Sequence, residues 1–475
     1  MTVTRFAPSP TGYMHIGNLR TALYSYLIGK HDDGKFILRI EDTDQERYVE
    51  GATDVIYSTL KMTGLKYDEG PDIGGPNGPY IQSERKEIYM EYAKKLVEMG
   101  HAYYCFCTKE RLDKLHEDGE IGAGYDRHCR DLPADEVKRL LEAGTPYVIR
   151  QKMPLEGSTT FNDVLYGDIT VDNTILDDQI LIKADGMPTY NFANVIDDHL
   201  MNVTHVVRGS EYLPSTPKYN LMYDTFGWER PVYVHLPPVM KDATHKLSKR
   251  NGDASFQDLV AKGYLPEAII NYIALLGWNP GTEEEIFSIK ELEKIFSVER
   301  LNKSPSIFDI VKLTWMNGVY IRNLSEEDFY KYAEPYFAEL SAGVDKKALA
   351  RALQPRIETL AQIPEQIAFV KQVPEYSTEL YVNKKMKTDI EVAKKALPLI
   401  KEVLAKQNER TNDALFAALK ALAEANEMKN GQILYPARIA FSGLETTPGG
   451  ATELAVVLGK DECLKRIDAA IQKLA

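Results

Sequence analysis

The sequence predicts an α/β fold: a parallel-sheet domain in the first half, interrupted by a mixed α+β insertion, then an all-α C-terminal region. Three observations lead there. A strand, a helix and a second strand follow one another within the first 40 residues, the spacing of a βαβ unit. Apolar strand patterns of the same kind return only after Asn202, so the stretch between is read as inserted into the sheet. Beyond Ser325 the chain is dominated by Ala, Leu, Lys and Glu at helical spacing nearly to its end. A chain of 475 residues also exceeds what one core accommodates.

The elements follow in order. Val3 to Ala7 reads as a short strand. Leu19, Ala22, Leu23, Tyr26 and Leu27 recur at helical spacing after Gly17. His31 to Gly34 is a turn, and Lys35 to Ile40 a strongly apolar strand. A helix is expected near Thr53 to Met62. Gly70 to Pro79 is a loop rather than a phosphate cradle, because its prolines carry no backbone donor. From about Ser83 to Ile180 helices near Glu87 to Met99 and Ala134 to Ala143 alternate with short strands. Strands return at Val203 to Arg208 and Pro231 to Leu236, and the chain turns helical after Leu259.

Bulk properties exclude several classes. Charged residues are 27% and hydrophobic residues 44%, an ordinary globular balance. The net charge of −13 excludes a generic polyanion binder, so nucleic acid would have to meet a local basic face. The start, Met-Thr-Val-Thr-Arg-Phe, has no basic stretch followed by an apolar run, and no stretch approaches the ~20 apolar residues of a membrane span. Three of the four cysteines cluster between Cys105 and Cys129, which speaks against a disulfide framework. A cytoplasmic protein with no membrane partner is expected.

Two segments carry the chemistry. Arg5-Phe-Ala-Pro8-Ser9-Pro10-Thr11-Gly12 leads into Tyr-Met-His15-Ile-Gly17-Asn18, a restrained turn that feeds a helix N-terminus. Free N–H groups and the helix dipole favour phosphate there, with the His15 imidazole and Asn18 amide as further donors. Gly12 and Gly17 let a nucleotide approach the backbone. The second segment, Lys246-Leu247-Ser248-Lys249-Arg250, is a cationic run suited to the far end of the same polyphosphate.

At these residues the chain resembles a class I aminoacyl-tRNA synthetase, whose signatures are His-Ile-Gly-His and Lys-Met-Ser-Lys-Ser. Here they read His-Ile-Gly-Asn18 and Lys-Leu-Ser-Lys-Arg250, variants found in the glutamyl-tRNA synthetase branch. The resemblance continues through Ile40-Glu41-Asp42-Thr43-Asp44, Gln82-Ser83-Glu84-Arg85, Ala184 to Tyr190, Arg208-Gly-Ser-Glu211 and Trp315-Met-Asn-Gly, nearly the whole chain. It implies a Rossmann-like catalytic domain at 1–83 and 184–255, an acceptor-stem-binding insertion at 84–183, a helical stem-contact domain at 256–324 and a helical anticodon-binding domain at 325–475. It also implies ATP and Mg²⁺, L-glutamate, tRNA(Glu) and a monomer. Pro8 to Gly12, His15, Gly17, Asn18, Glu211 and Lys246 to Arg250 are then the ATP site, with His15, Lys246 and Lys249 catalytic.

Adenylate formation asks for positioning and charge stabilisation rather than covalent chemistry. Lys249 is the expected cation for the leaving pyrophosphate, and removing one preorganised donor of this kind costs on the order of 100- to 1000-fold in rate. Glutamate needs a cation for each carboxylate and an acceptor for its ammonium. Arg208 ends an apolar strand, where ligands bind in open α/β sheets and a guanidinium grips a carboxylate with two parallel bonds. The resemblance makes it the reader of the side-chain carboxylate, with Arg5, Ser9, Glu41, Tyr190 and Asn194 completing the pocket. Without the motifs, Arg5 and Glu41 would read as strand-end charges and Tyr190 as core.

Cys105-Phe-Cys107, with Cys129 farther on, is read either as a zinc site or as three reduced thiols. Some family members hold zinc this way and others have lost it; the fourth ligand lies among Tyr125, His128 and Asp131. Tyr381 to Lys387 and Leu434 to Arg438 interleave tyrosines with cations in the region the family uses for the anticodon. The rival readings are a glutaminyl-tRNA synthetase, a truncated relative that glutamylates a tRNA base, and a silent RNA-binding protein on the same fold. The long helical C-terminal half opposes the first two, and both nucleotide arms oppose the third.

Overall fold

The computed structural model describes residues 1–31, 33–47, 49–118, 124–247 and 255–475. Ser248, Lys249 and Arg250 therefore lie outside the described residues. The chain divides into two units, residues 1–258 with 269–309, and residues 259–268 with 310–475.

The first unit opens with β1 (Val3–Phe6), α1 (Ile16–His31) and β2 (Lys35–Leu38), and β1 pairs in parallel with β2. The βαβ reading holds. The predicted strand to Ile40 ends at Leu38: the Arg39 N–H still donates to Phe6, the last residue of β1, and beyond it Ile40 bridges Ile81 instead. Helix α1 is buried almost all round: it packs on β1 and β2 and against the helix Ile289–Ile295. An all-round apolar helix at the centre of an α/β layer is the expected result.

Next come α2 (Ala52–Met62), α3 (Lys86–Glu98), β3 (Ala102–Cys105), α4 (Lys109–Asp118), α5 (Ala134–Glu142) and β4 (Val148–Gln151). They are followed by β5 (Ser158–Asp163), β6 (Gly167–Asp172) and β7 (Ile180–Ile182). Strands β3, β4 and β7 form an antiparallel sheet. The hairpin β5–β6, also in the 84–183 stretch, joins a different sheet. There β8 (His205–Gly209) and β9 (Val232–Leu236) run parallel and β5 meets β9, giving the order β6-β5-β9-β8. Between β7 and β9 lie α6 (Tyr190–Leu200) and α7 (Thr216–Phe226). Thr204, just ahead of β8, donates its N–H to Val3 and accepts from the Val3 N–H, which sets β8 beside β1. The C-terminal ends of β1, β8 and β9 thus face the same way.

The second unit is helical, as composition predicts. Its main helices are Ile310–Asn323, Glu326–Ala333, Lys346–Leu353, Ile390–Lys406, Asn412–Ala425, Asn430–Ser442 and Ala451–Leu474. They bury one continuous core that includes Phe329, Phe337, Leu349, Ile400, Leu419 and Ile467. The last helix kinks at Gly459, whose φ of 78° suits a residue without Cβ. Arg466 reaches under it to the carbonyls of Phe369, Val370 and Phe441 at 2.5–2.9 Å, satisfying helix ends that lack intrahelical partners. Among the described residues no helix is long and apolar enough to cross a membrane.

Candidate active site

A cavity of about 710 Å³ lies across the C-terminal ends of β1, β8 and β9. Its wall takes Phe6 to Thr11 after β1, Val207 to Gly209 at the end of β8, and Leu236 to Val239 after β9. That is where open parallel sheets bind ligands, and the volume is ordinary for a small-molecule site. Of the residues singled out in the sequence, Arg5, Pro8, Ser9, Pro10, Thr11, His15, Gly17, Asn18, Glu41, Tyr190, Arg208, Glu211, Lys246 and Leu247 line it.

Two do not. Gly12 lies off the lining, where its φ of 111° makes the turn between Thr11 and the helix. Asn194 sits one turn along α6 from Tyr190, buried, with its Nδ2 donating to the Tyr190 carbonyl at 2.7 Å. That bond braces the first turn of α6 under Tyr190.

The end of the cavity expected from the sequence to take the nucleotide is built around His15. Its carbonyl accepts the first helical bond, from Leu19, which makes it the N-cap of α1. Its Nδ1 accepts from the Gly17 N–H at 3.0 Å and its Nε2–H donates to the Leu247 carbonyl at 3.2 Å. The neutral tautomer follows from those two bonds. A Cβ on Gly17 would stand 3.2 Å from the same Nδ1, so the glycine serves close approach. Lys246 is placed by a hairpin: Met240 bridges Lys246, and Asp242 caps the turn by accepting from the Thr244 and His245 N–H groups. Both residues flanking 248–254 return to His15, Leu247 through the imidazole and Ser255 through a backbone bridge.

Behind the other end lies a buried ionic network that motif spacing did not reveal. Arg5 donates Nε and Nη2 to Asp198 at 3.0 and 3.4 Å, and Nη1 to the Val207 carbonyl. Arg39, fully buried, joins Asp198 at 2.8 Å to Glu41 at 2.9 Å. Asp197, one residue before Asp198, takes Arg85, Gln82 and Tyr89 at 2.7–2.8 Å. Burial pushes the Glu41 carboxyl up while Arg39 and Arg5 oppose it. Burial also works against the Asp198 carboxylate, but there Arg5 and Arg39 prevail and hold it below the usual range.

Arg208 is held differently. It donates Nε to His235 Nε2 at 3.0 Å and Nη2 to Thr216 Oγ1 at 2.9 Å, with the rings of Tyr219, Tyr212 and Tyr233 4.8–5.6 Å from its carbon. Sequence reasoning also missed Arg20, Thr43, Asp44, Arg47 and Tyr212 in the wall. The visible signal for the buried members was polarity inside apolar runs: Arg39 in β2's continuation, Asp197-Asp198 in α6, His235 in β9.

Away from the cavity, the thiols of Cys105, Cys107 and Cys129 lie within 4.8 Å of one another. The Tyr125 hydroxyl is 3.2 Å from Cys105 Sγ and 3.4 Å from Cys107 Sγ, whereas Asp131 pairs with Lys152 at 3.1 Å. Zinc–sulfur bonds of about 2.3 Å in a tetrahedron set sulfurs roughly 3.8 Å apart, so the cluster fits the metal. Of the fourth-ligand candidates Tyr125, His128 and Asp131, Tyr125 has its hydroxyl within hydrogen-bond distance of two of the thiols.

The geometry agrees with the comparisons. Residues 1–315 match the family model for the catalytic domain of class I tRNA synthetases (E and Q), and residues 328–471 match an anticodon binding domain. The chain belongs to the class I tRNA synthetases for glutamate and glutamine. Glutamate–tRNA ligases of Clostridium novyi (strain NT) and of Clostridium botulinum (strain Hall) are each 60% identical to it, over 480 and 475 residues, covering 99% of this chain and 98% of theirs. A crystal structure of a glutamate tRNA ligase from Elizabethkingia meningosepticum in complex with its amino acid is 36% identical, with a TM-score of 0.90 over 100% of both chains. This chain is an aminoacyl-tRNA synthetase by family.

Proposed function

We propose that this chain uses ATP and Mg²⁺ to convert L-glutamate to glutamyl adenylate, then transfers the glutamyl group to the 3′-terminal adenosine of tRNA(Glu). The observation that carries the reading is the single cavity that holds both the His15 helix start with Lys246 and the Arg5, Glu41 and Arg208 cluster. Helix N-terminus and cation suit a polyphosphate; two guanidiniums and a carboxylate suit a zwitterion with a second carboxylate. Arg208 takes the side-chain carboxylate, and Arg5 and Glu41 the main-chain charges. Lys246 and, beyond the described residues, Lys249 meet the phosphates. Mg²⁺ bound to the phosphates neutralises charge on them.

The domain roles follow: 1–83 and 184–255 catalytic, 84–183 for the acceptor stem, 256–324 for the stem and 325–475 for the anticodon. The thiols of Cys105, Cys107 and Cys129 with Tyr125 hold a structural zinc in the insertion. The enzyme works in the cytoplasm as a monomer. Exchange of pyrophosphate into ATP, with glutamate or glutamine and with or without tRNA, tests the reading. Glutamate-dependent exchange is expected; none under any condition would defeat it.

A further inference from the structure

The side-chain reader just described, Arg208, stands on a neighbour to which no role has been given. His235 is its cross-strand partner, Arg208 on β8 facing His235 on β9. The imidazole is fully buried, and its Nδ1 lies 2.7 Å from Asp163 Oδ2 at the end of β5. Among the described residues that oxygen meets only His235, whose backbone N–H it also accepts; the second oxygen of Asp163 accepts from the Leu165 and Tyr166 N–H groups. An ionised carboxylate only accepts, so Nδ1 carries the proton and Nε2 presents a lone pair. That lone pair receives Arg208 Nε–H, while Thr216 Oγ1 receives Nη2–H and passes its own proton to the Tyr212 carbonyl.

A guanidinium has a side edge, Nε with Nη2, and an end edge, Nη1 with Nη2. Here the side edge is occupied by His235 and Thr216. Among the described residues Nη1 has no hydrogen-bond partner, and Arg208 lines the cavity. We propose that Asp163 and His235 are positioning residues: they lock the imidazole as an acceptor for Arg208 and so present the end edge of its guanidinium to the substrate's side-chain carboxylate. The inference rests on Arg208 being that reader.

The charges around the imidazole support the neutral acceptor. Burial lowers its pKa, the Asp163 bond opposes this, and Arg208 lowers it again. The groups facing it are Arg208 from β8, Asp163 from β5, Glu211 from the turn after β8, and Tyr233 on its own strand. A protonated Nε2 would set a donor against the Arg208 donor and a cation against a cation.

Two amides separate the functions of the two ring nitrogens. Asparagine reaches the Nδ1 position and keeps the Asp163 bond but offers nothing to Arg208. Glutamine reaches the Nε2 position and restores an acceptor. Aminoacylation of tRNA(Glu) is measured with varied glutamate and varied ATP. His235→Asn is expected to raise KM for glutamate about 10- to 100-fold, the worth of a charge-assisted bond, with KM for ATP within about twofold. His235→Gln should stay within about threefold of the parent. Arg208→Ala serves as the reference: if it leaves KM for glutamate unchanged, the reading of Arg208 itself fails. If it raises that KM while His235→Asn does not, or while both amides impair equally at unchanged melting temperature, only the positioning role fails. Should His235→Asn not fold, the near-isosteric Asp163→Asn answers instead. It is expected to raise KM for glutamate about tenfold, and an unchanged value would overturn the proposal.

Discussion

Replacing Asp198 with asparagine tests whether the buried ionic network holds the pocket. One oxygen of Asp198 accepts from Arg5 at 3.0 Å and from Arg39 at 2.8 Å, so a single carboxylate orders two guanidiniums. With charge centres roughly 4 Å apart and an effective dielectric of ~20, each pair is worth about 4 kcal/mol. Losing both is offset by the several kcal/mol no longer needed to dehydrate the carboxylate, which leaves about 3–5 kcal/mol for breaking such a cluster. Asparagine keeps one acceptor, so about 3 kcal/mol is expected. At an unfolding entropy of about 2.1 cal/mol/K per residue, spread over a unit of roughly 300 residues, that lowers its Tm by about 5 °C. Arg5 also loses the partner that fixes it in the cavity wall, and a misplaced binding group raises KM for glutamate by about tenfold or more. Differential scanning calorimetry and aminoacylation kinetics read the two effects. A variant melting within about 1 °C of the parent, with the parental KM for glutamate, would refute the reasoning.

Three further outcomes are expected. Because the folded Asp198 pKa is depressed, its stabilisation is fully present above the unfolded carboxylate value of about 3.9 and lost as pH falls through the folded one; the gap in melting temperature between parent and Asp198→Asn should hold at pH 6 and narrow below about pH 4. Arg208→Ala should collapse the preference for glutamate over glutamine, measured as the ratio of kcat/KM values, and an unchanged ratio would count against the assignment. Protein purified without chelator should carry about one zinc per chain by mass-spectrometric metal analysis. Tyr125→Phe should release it to a competing chelator more readily, whereas Asp131→Ala should not.

How far the sequence could be read depended on how far apart the partners lie. The segment read as the nucleotide arm was legible because its defining parts are local: a restrained turn, an N-capping His15 and Gly17 fall within a few residues of one another, and the cap and the Gly17 bond are made within that segment. The strands β1, β2, β8 and β9 were legible for the same reason, as short apolar runs bounded by turns. Arg39, Asp198 and His235 were visible only as oddities. A charge within an apolar run announces that a partner exists, since a buried polar group must be bonded, but not where. Arg5 meets Asp198 across 193 residues, and His235 meets Asp163 across 72. Asn194 shares a helix with Tyr190, and its Nδ2 donates along the backbone to the Tyr190 carbonyl, a local bond that residue spacing on a helix allows but does not announce.

The two arginines of the pocket divide the work by how much of their charge the protein has already answered. Arg5 is paired with Asp198, so an incoming carboxylate gains a hydrogen bond from it but little uncompensated charge. Arg208 is held by a neutral imidazole, a hydroxyl and three aromatic rings, and makes no ion pair among the described residues. Its charge is therefore left for the ligand. On the proposed reading of Arg208, glutamate would supply the missing anion at that point, whereas the amide of glutamine would supply only a dipole and leave a buried cation unanswered. The difference between an answered and an unanswered buried charge is worth several kcal/mol. Asp163 touches His235 and not Arg208, so the fold orients this cation without neutralising it. A carboxylate placed directly on Arg208 would stabilise the empty enzyme and erase the discrimination.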